Sequence, residues 1–596
     1  MIDKKKTKKP SLLLPLAAAV GLTAGGGAAY WFFTRQTVGP AELPVGAEVI
    51  PQDALMTISV ATDPGQWQQL REFGTPQSQA ALNKNLADWR DRLLTANGLD
   101  YEKDVQPWVG REVTLALLSP PSPAATPPSN LPVPVSQQQV TVMVLPVQNP
   151  DRAKQILQQP RTPAGGTLVE RTYKGFQIKE TQGTARNYSA TLLDNRFVVL
   201  TTDPKATDRV IDTYKGSEGA TALTATAGLT QALSKIQTPQ PFGKIYVNLP
   251  AAALMTSATT GRPVSPQNLS QIQQNQGLAA TIALEPEGIR LRSISWLKPD
   301  SQRKYEVRNT AKTMPGRLPA ETILMASGGN LKKFWQEYTQ GAATNPISPI
   351  NPEALRTGLK STIGMDLEQD FLTWMEGEFA LSLVAAPKGG SPGLPFSLLF
   401  MVQASDRRAA ENSLQQLDQA MATKYKFKVE ESKIGNQSVT NWVFPAGGPS
   451  ITHGWMDEDV AFLTLGAPLA AAIVPRPTTP LADSEAFKRA VPAEPNPNNG
   501  HFFINMDRAL NARSLPLIPL PPANRELVAA IRSIGVTAAI NDERSARYDV
   551  FVALQKAGKP AALPNPTAPG ASPAPEEQNN PALVIPPAPS PDVSPN

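Results

Sequence analysis

Apolar residues recur along this chain in two rhythms. Leu82, Leu86, Trp89 and Leu93 are spaced by four, three and four, which predicts an amphipathic helix over about 78–96. Leu414, Leu417 and Met421 predict a comparable helix over about 405–424, read as the second copy of the first. Elsewhere the pattern alternates or is rich in β-branched and aromatic residues. It predicts strands at 112–118, 138–146, 378–385 and 396–404, and later at Tyr188–Leu193, Phe197–Thr202, Lys244–Leu249 and Gly288–Leu297. LDNRF at 193–197 and MDEDV at 456–460 predict hairpin turns. The fold class expected is α+β, with largely antiparallel sheet and packed helices.

The pattern also repeats at long range. GLDYEKDVQPWVGREVTLAL at 98–117 and GMDLEQDFLTWMEGEFALSL at 364–383 share Gly98/Gly364, Asp100/Asp366, Glu102/Glu368, Asp104/Asp370, Trp108/Trp374 and Glu112/Glu378 at an offset of 266. Pro51 and Trp67 match Pro319 and Trp335 at 268, and Asp194, Leu200 and Thr201 match Asp457, Leu463 and Thr464 at 263. GKIYVN from Gly243 matches GHFFIN from Gly500 at 257. Four blocks in one order, at a slowly falling offset, predict two tandem homologous repeats, 45–298 and 316–555, joined by a linker at 299–315.

The termini read differently. Ser11–Phe33 carries no charge over 23 residues, enough at 1.5 Å per residue to cross a hydrocarbon core of about 30 Å. A lysine-rich segment at 1–10 precedes it, and Tyr30, Trp31, Phe32 and Phe33 close it. The expectation is one transmembrane helix at 11–33 in the lipid bilayer, with the N-terminus cytoplasmic, a short linker at 34–44 and everything after it outside. The rival reading is a cleaved signal peptide ending near Gly27–Ala29. Residues 556–596 are rich in Pro, Ala, Asn and Ser and are expected to form a disordered tail.

Composition narrows the chemistry. Residues 1–35 hold six basic residues against Asp3 alone, which accounts for the whole net charge of +5, so the body is neutral and no nucleic-acid surface is expected. With no cysteine and only His453 and His501, thiolate metal sites, cysteine nucleophiles and three-histidine centres are excluded. The doubled Asp–Glu–Asp spacing suggests a calcium loop. However, Val105 and Phe371 stand where that loop needs glycine, and Glu112 and Glu378 fall one place late. These acids read better as caps of a helix N-terminus, with Trp108 and Trp374 entering the core. Gly389–Gly393 satisfies G-x-S-x-G and Ser301–Lys304 satisfies S-x-x-K, but both lie in proline-rich or linker sequence without the companion elements. No catalytic residue, cofactor or metal ligand is expected.

The lysine-rich start, the Gly/Ala span ending YWFF and the doubled G-x-D-x-E-x-D block followed by tryptophan resemble a family of uncharacterised membrane-anchored bacterial proteins. That family is common in cyanobacteria and is defined by a domain of unknown function. The resemblance implies location and architecture only, with the body in the periplasm or thylakoid lumen. The function expected is an envelope binding or scaffold module that takes a protein partner or an apolar ligand between its repeats. The alternatives are a carrier of lipid or another apolar ligand and an envelope hydrolase without a recognisable motif.

Overall fold

The computed structural model describes residues 43–565, apart from 96–99, 120–139, 159–166, 183–187, 261–269, 271, 343–350, 387–395, 445–449, 457–458, 467 and 512–524. The expected transmembrane span and the G-x-S-x-G segment lie outside the described residues. Among the described residues no helix is long and apolar enough to cross a membrane.

The fold is α+β, dominated by one twenty-stranded antiparallel sheet. The first ten strands are β1 (Met56–Ala61), β2 (Glu112–Leu118), β3 (Val140–Pro146), β4 (Thr167–Tyr173), β5 (Phe176–Gln182), β6 (Ser189–Leu193), β7 (Phe197–Thr201), β8 (Gly243–Val247), β9 (Asn275–Glu285) and β10 (Gly288–Leu297). The second ten are β11 (Thr322–Gly328), β12 (Phe379–Ala385), β13 (Phe396–Gln403), β14 (Lys428–Ile434), β15 (Gln437–Val443), β16 (Ser450–Trp455), β17 (Val460–Gly466), β18 (Gly500–Asn505), β19 (Ile531–Asp542) and β20 (Ser545–Leu554).

Pairing places the first half in the order β4-β5-β6-β7-β3-β2-β1-β8-β9-β10. Beyond β10 the sheet continues as β20-β19-β18-β11-β12-β13-β17-β16-β15-β14. The second order is the first with every label raised by ten, and the two halves join through their last strands. Across that seam Arg292 lies opposite Asp549, and at the offset of 257 these two residues are each other's counterparts. The seam is therefore a pseudo-two-fold axis in the backbone pairing.

Local chemistry explains the element ends. Thr75 and Ser78 form a reciprocal cap with Pro76 in the first turn, so the helix expected from 78 begins at Pro76 and runs to Leu93. Asp194 and Asn195 take positive φ (44° and 58°) in the turn between β6 and β7, where Asp and Asn cost least. Apolar cores form on both faces of the sheet. In the first half, Trp67, Leu70, Leu82 and Leu86 cover one face, while Val210, Ile211, Leu229 and Leu233 cover the other. Met325, Met401 and Phe462 belong to a core of the second half.

Two expectations need correction. The helix Arg407–Lys424 lies between β13 and β14, so its counterpart is Pro150–Gln158 between β3 and β4 and not Pro76–Leu93. A 3.6-residue period reports a buried stripe but not which strands flank it. Nor does the tail begin at 556. Residues 556–565 lie against the helices Pro64–Glu72 and Pro76–Leu93, held by hydrogen bonds to their carbonyls.

Candidate functional site

The two acidic blocks occupy equivalent places before β2 and β12. Asp100 caps a five-residue π-helical turn, Tyr101–Val105, by accepting from Lys103 N at 3.1 Å, while Asp104 Oδ2 accepts from Asp100 N at 2.8 Å. Asp366 caps Leu367–Phe371 in the same way, accepting from Glu368 N and Gln369 N at 3.1 Å, and Asp370 Oδ2 accepts from Asp366 N at 2.7 Å. The carboxylates thus bind backbone amides of their own turn. Among the described residues no group of three or more metal-ligating side chains gathers, there or elsewhere.

Each turn delivers its tryptophan to the core. Trp108 Nε1 donates to Asp104 O at 2.6 Å and Trp374 Nε1 to Asp370 O at 3.0 Å, both side chains being buried. Glu102 is exposed, whereas Glu368 accepts from Arg356 Nε at 2.6 Å and Trp335 Nε1 at 3.3 Å. Glu112 and Glu378 tie down the chain entering each half. Glu112 accepts from Val45 N and from Lys244 Nζ (2.8 Å), and Glu378 from Lys312 N, Thr313 N and the Thr313 hydroxyl. The ten residues named from the repeat thus lie five in each half, and none of them lines the cleft at the seam.

The histidines also stand apart. His453 Nε2 lies 2.8 Å from Asp418 Oδ1, which also accepts from Trp442 Nε1 at 2.6 Å. His501 Nδ1 donates to the Thr537 hydroxyl at 3.2 Å, since that hydroxyl gives its own proton to Pro492 O. Burial pushes the His501 pKa down to about 4, so the ring is neutral at pH 7. Ser301 bonds its own loop at Arg303 N, and Lys304 pairs with Glu543, so the S-x-x-K residues do not converge.

The concave feature that the motifs did not announce lies at the seam. A half-open cleft of about 470 Å³ is bounded by the helix Leu229–Lys235, the end of β10 and the β19–β20 turn. Ala232, Ile294, Trp296 and Leu297 give it an apolar wall; Lys235, Asp542 and Arg544 give it a charged rim. Trp296 is fixed by its Nε1–H bond to Ala227 O at 2.9 Å. Burial alone would raise the Asp542 pKa. Hydrogen bonds from Lys235, Arg544 N and Ser545, with the Lys235 charge, outweigh it and hold the carboxyl at about 2. Arg544 Nη1 donates to Lys298 O at 2.9 Å, which ties the rim to the chain leaving β10. Pocket residues from positions 227 and 542 meet only because β10 pairs with β20, a contact that no local motif could reveal.

No curated protein matches the chain. Among solved structures, crystal form III of TP0453 aligns at 8% identity over 44% of this chain and 82% of that one, with a TM-score of 0.23. Crystal form I aligns at 6% identity over 45% and 81%, also at 0.23. At these TM-scores the likeness carries no argument. The family described as "Protein of unknown function (DUF3352)" matches residues 16–554, nearly the whole length, and the chain belongs to that family.

Proposed function

We propose that the chain is a membrane-tethered binding module of the cell envelope, made by duplication of a ten-strand unit, with its ligand site in the seam cleft. The observation that carries this reading is the cleft itself. It has an apolar wall with an anchored tryptophan and a pre-paired rim, at the place where two equivalent units meet. Duplication is supported by the identical strand order and by the sequence blocks falling at equivalent positions: Trp67 and Trp335 both sit in the helix that follows the first strand of their half. Tethering is supported by the uncharged run Ser11–Phe33 behind a lysine-rich start. The rim offers one carboxylate, Asp542, which is already engaged by Lys235; a hydrolytic pair does not form there.

A photo-crosslinking residue placed at Gln231, which lines the cleft, should yield a discrete adduct in cells expressing the full chain. The same residue at Leu168, exposed on β4, should not. Equal adducts from both positions, or none from 231, would overturn the assignment. Alkaline phosphatase fused after Asn596 should be active if the body is extracytoplasmic; an inactive fusion places it in the cytoplasm.

A further inference from the structure

The strap after β20 crosses the seam and lies on the other half. Gln555 O accepts from Gly74 N at 2.6 Å and Ala557 N donates to Glu72 O at 3.3 Å, which brings the strap onto the helices Pro64–Glu72 and Pro76–Leu93. There, four side chains read its carbonyls. Gln79 Nε2 donates to Gly558 O at 3.3 Å, Asn83 Nδ2 to Ala561 O at 3.4 Å and Arg90 Nη1 to Pro564 O at 2.8 Å, while Arg71 Nη2 also reaches Ala561 O. Arg71, Asn83 and Arg90 are each 5% exposed and Gln79 is 8% exposed. Burying two guanidinium groups and two amides is costly unless acceptors are supplied. Asn83 Oδ1, Glu72 O and Asp91 Oδ1 meet part of that need for Arg71, Gln79 and Arg90, and the strap carbonyls add to it.

The carbonyls read lie three residues apart, at 558, 561 and 564; Gly558 takes a positive φ of 94°, a turn into the row, so a polyproline-like course can begin only after it. Pro560 and Pro564 have no N–H to offer a sheet edge, so carbonyl-only reading suits this sequence. Between the carbonyl contacts, Leu563 packs on the cluster of Trp67, Leu70, Leu82 and Leu86. Arg90 Nη2 is buried with no partner among the described residues, which leaves a further donor at the end of the row. The equivalent segment after β10 also crosses to the opposite half. There, however, it meets the helix Leu331–Ala342 through an ion pair of Glu306 with Lys333, both partly exposed. Among the described residues that contact is a surface ion pair and not a row of buried donors.

We propose that the helix pair Pro64–Glu72 and Pro76–Leu93 is a recognition groove for an extended, proline-containing peptide, which the chain fills with its own residues 557–565. The site is separate from the seam cleft and stands or falls independently of it.

The test uses the full chain and a fluorescein-labelled peptide of residues 556–566. Leu563→Asp weakens the resident strap while leaving every groove residue intact. The peptide should bind this variant at least tenfold more tightly than the wild-type chain, by fluorescence anisotropy. Adding Gln79→Leu or Arg90→Leu should remove most of that gain. In a chain carrying either groove substitution alone, trypsin should cleave after Lys556, at the root of the strap, several-fold faster than in wild type. Either of two results would overturn the proposal: peptide binding no better in Leu563→Asp than in wild type, or unchanged trypsin cleavage after Lys556 in a folded groove variant.

Discussion

Glu112 and Glu378 occupy equivalent positions before equivalent strands, yet the two halves satisfy them differently. In the first half the carboxylate meets a cation, Lys244, at 2.8 Å, with both side chains largely buried. In the second half the residue at the Lys244 position is His501, which burial keeps neutral. Three dipoles replace the missing charge: the Lys312 and Thr313 amides and the Thr313 hydroxyl, at 2.8–2.9 Å. A buried carboxylate needs its oxygens satisfied, and either an ammonium or a set of preorganised N–H and O–H groups can do it. What both solutions preserve is the mechanical result: the chain entering each half is pinned to the start of β2 or β12.

The largest effect that separates the halves should come from the tryptophans. Trp374 shares its indole N–H with Ser413 Oγ as well as Asp370 O, and Ser413 itself donates to Asp370 O, so helix Arg407–Lys424 is bound to the turn. Trp108 has the single bond to Asp104 O. Truncating either to alanine should cost about 3–5 kcal/mol, with Trp374→Ala the costlier, as measured by urea unfolding. Equal losses would mean that the serine bridge contributes nothing.

Next come the two glutamates. Glu112→Gln strands the buried Lys244 ammonium and should cost about 3 kcal/mol, most of it restored in the double variant with Lys244→Met. Glu378→Gln strands no charge and should cost about 1–2 kcal/mol. A reversed order in chemical denaturation would break the comparison.

A further effect, of the same order as the Glu378 one, is pH-dependent. His501 has a folded pKa of about 4, below its usual value of about 6.5 in an unfolded chain. Between these values the unfolded chain binds the proton and the folded chain does not, so the folded state loses stability as pH falls. From pH 7 to pH 5 the His501 contribution should drop by about 2 kcal/mol. His501→Gln should remove that component from the difference between the two pH values. An unchanged pH dependence would show that the ring is not the group responsible.

Much of this was legible in the chain because it is local. Strands with alternating burial, the turn at Asp194–Asn195 and the capping role of Asp100 and Asp366 depend on neighbours within a few residues. The tandem blocks were legible because equivalent positions carry equivalent residues. The pairing of helix 405–424 with 78–96 failed for the opposite reason: amphipathic period is shared by every surface helix, whichever strands flank it. The strap was missed because proline-rich composition says that a segment cannot build its own core. It does not say whether another part of the molecule has donors waiting for its carbonyls, as Arg71, Gln79, Asn83 and Arg90 do.

The amino-acid sequence alone pointed to eight of the twenty strands and two of the helices, to two stretches that share one residue pattern, and to the absence of cysteine chemistry. Only the tertiary structure decided that the two halves join through β10 and β20, and with that join came the cleft beside Trp296 and Asp542. It also decided where the strap would lie. Hydrophobic period and capping act over a handful of residues and are written locally. Contacts between positions hundreds of residues apart are fixed by strand pairing and by buried donors that nearby residues satisfy only in part.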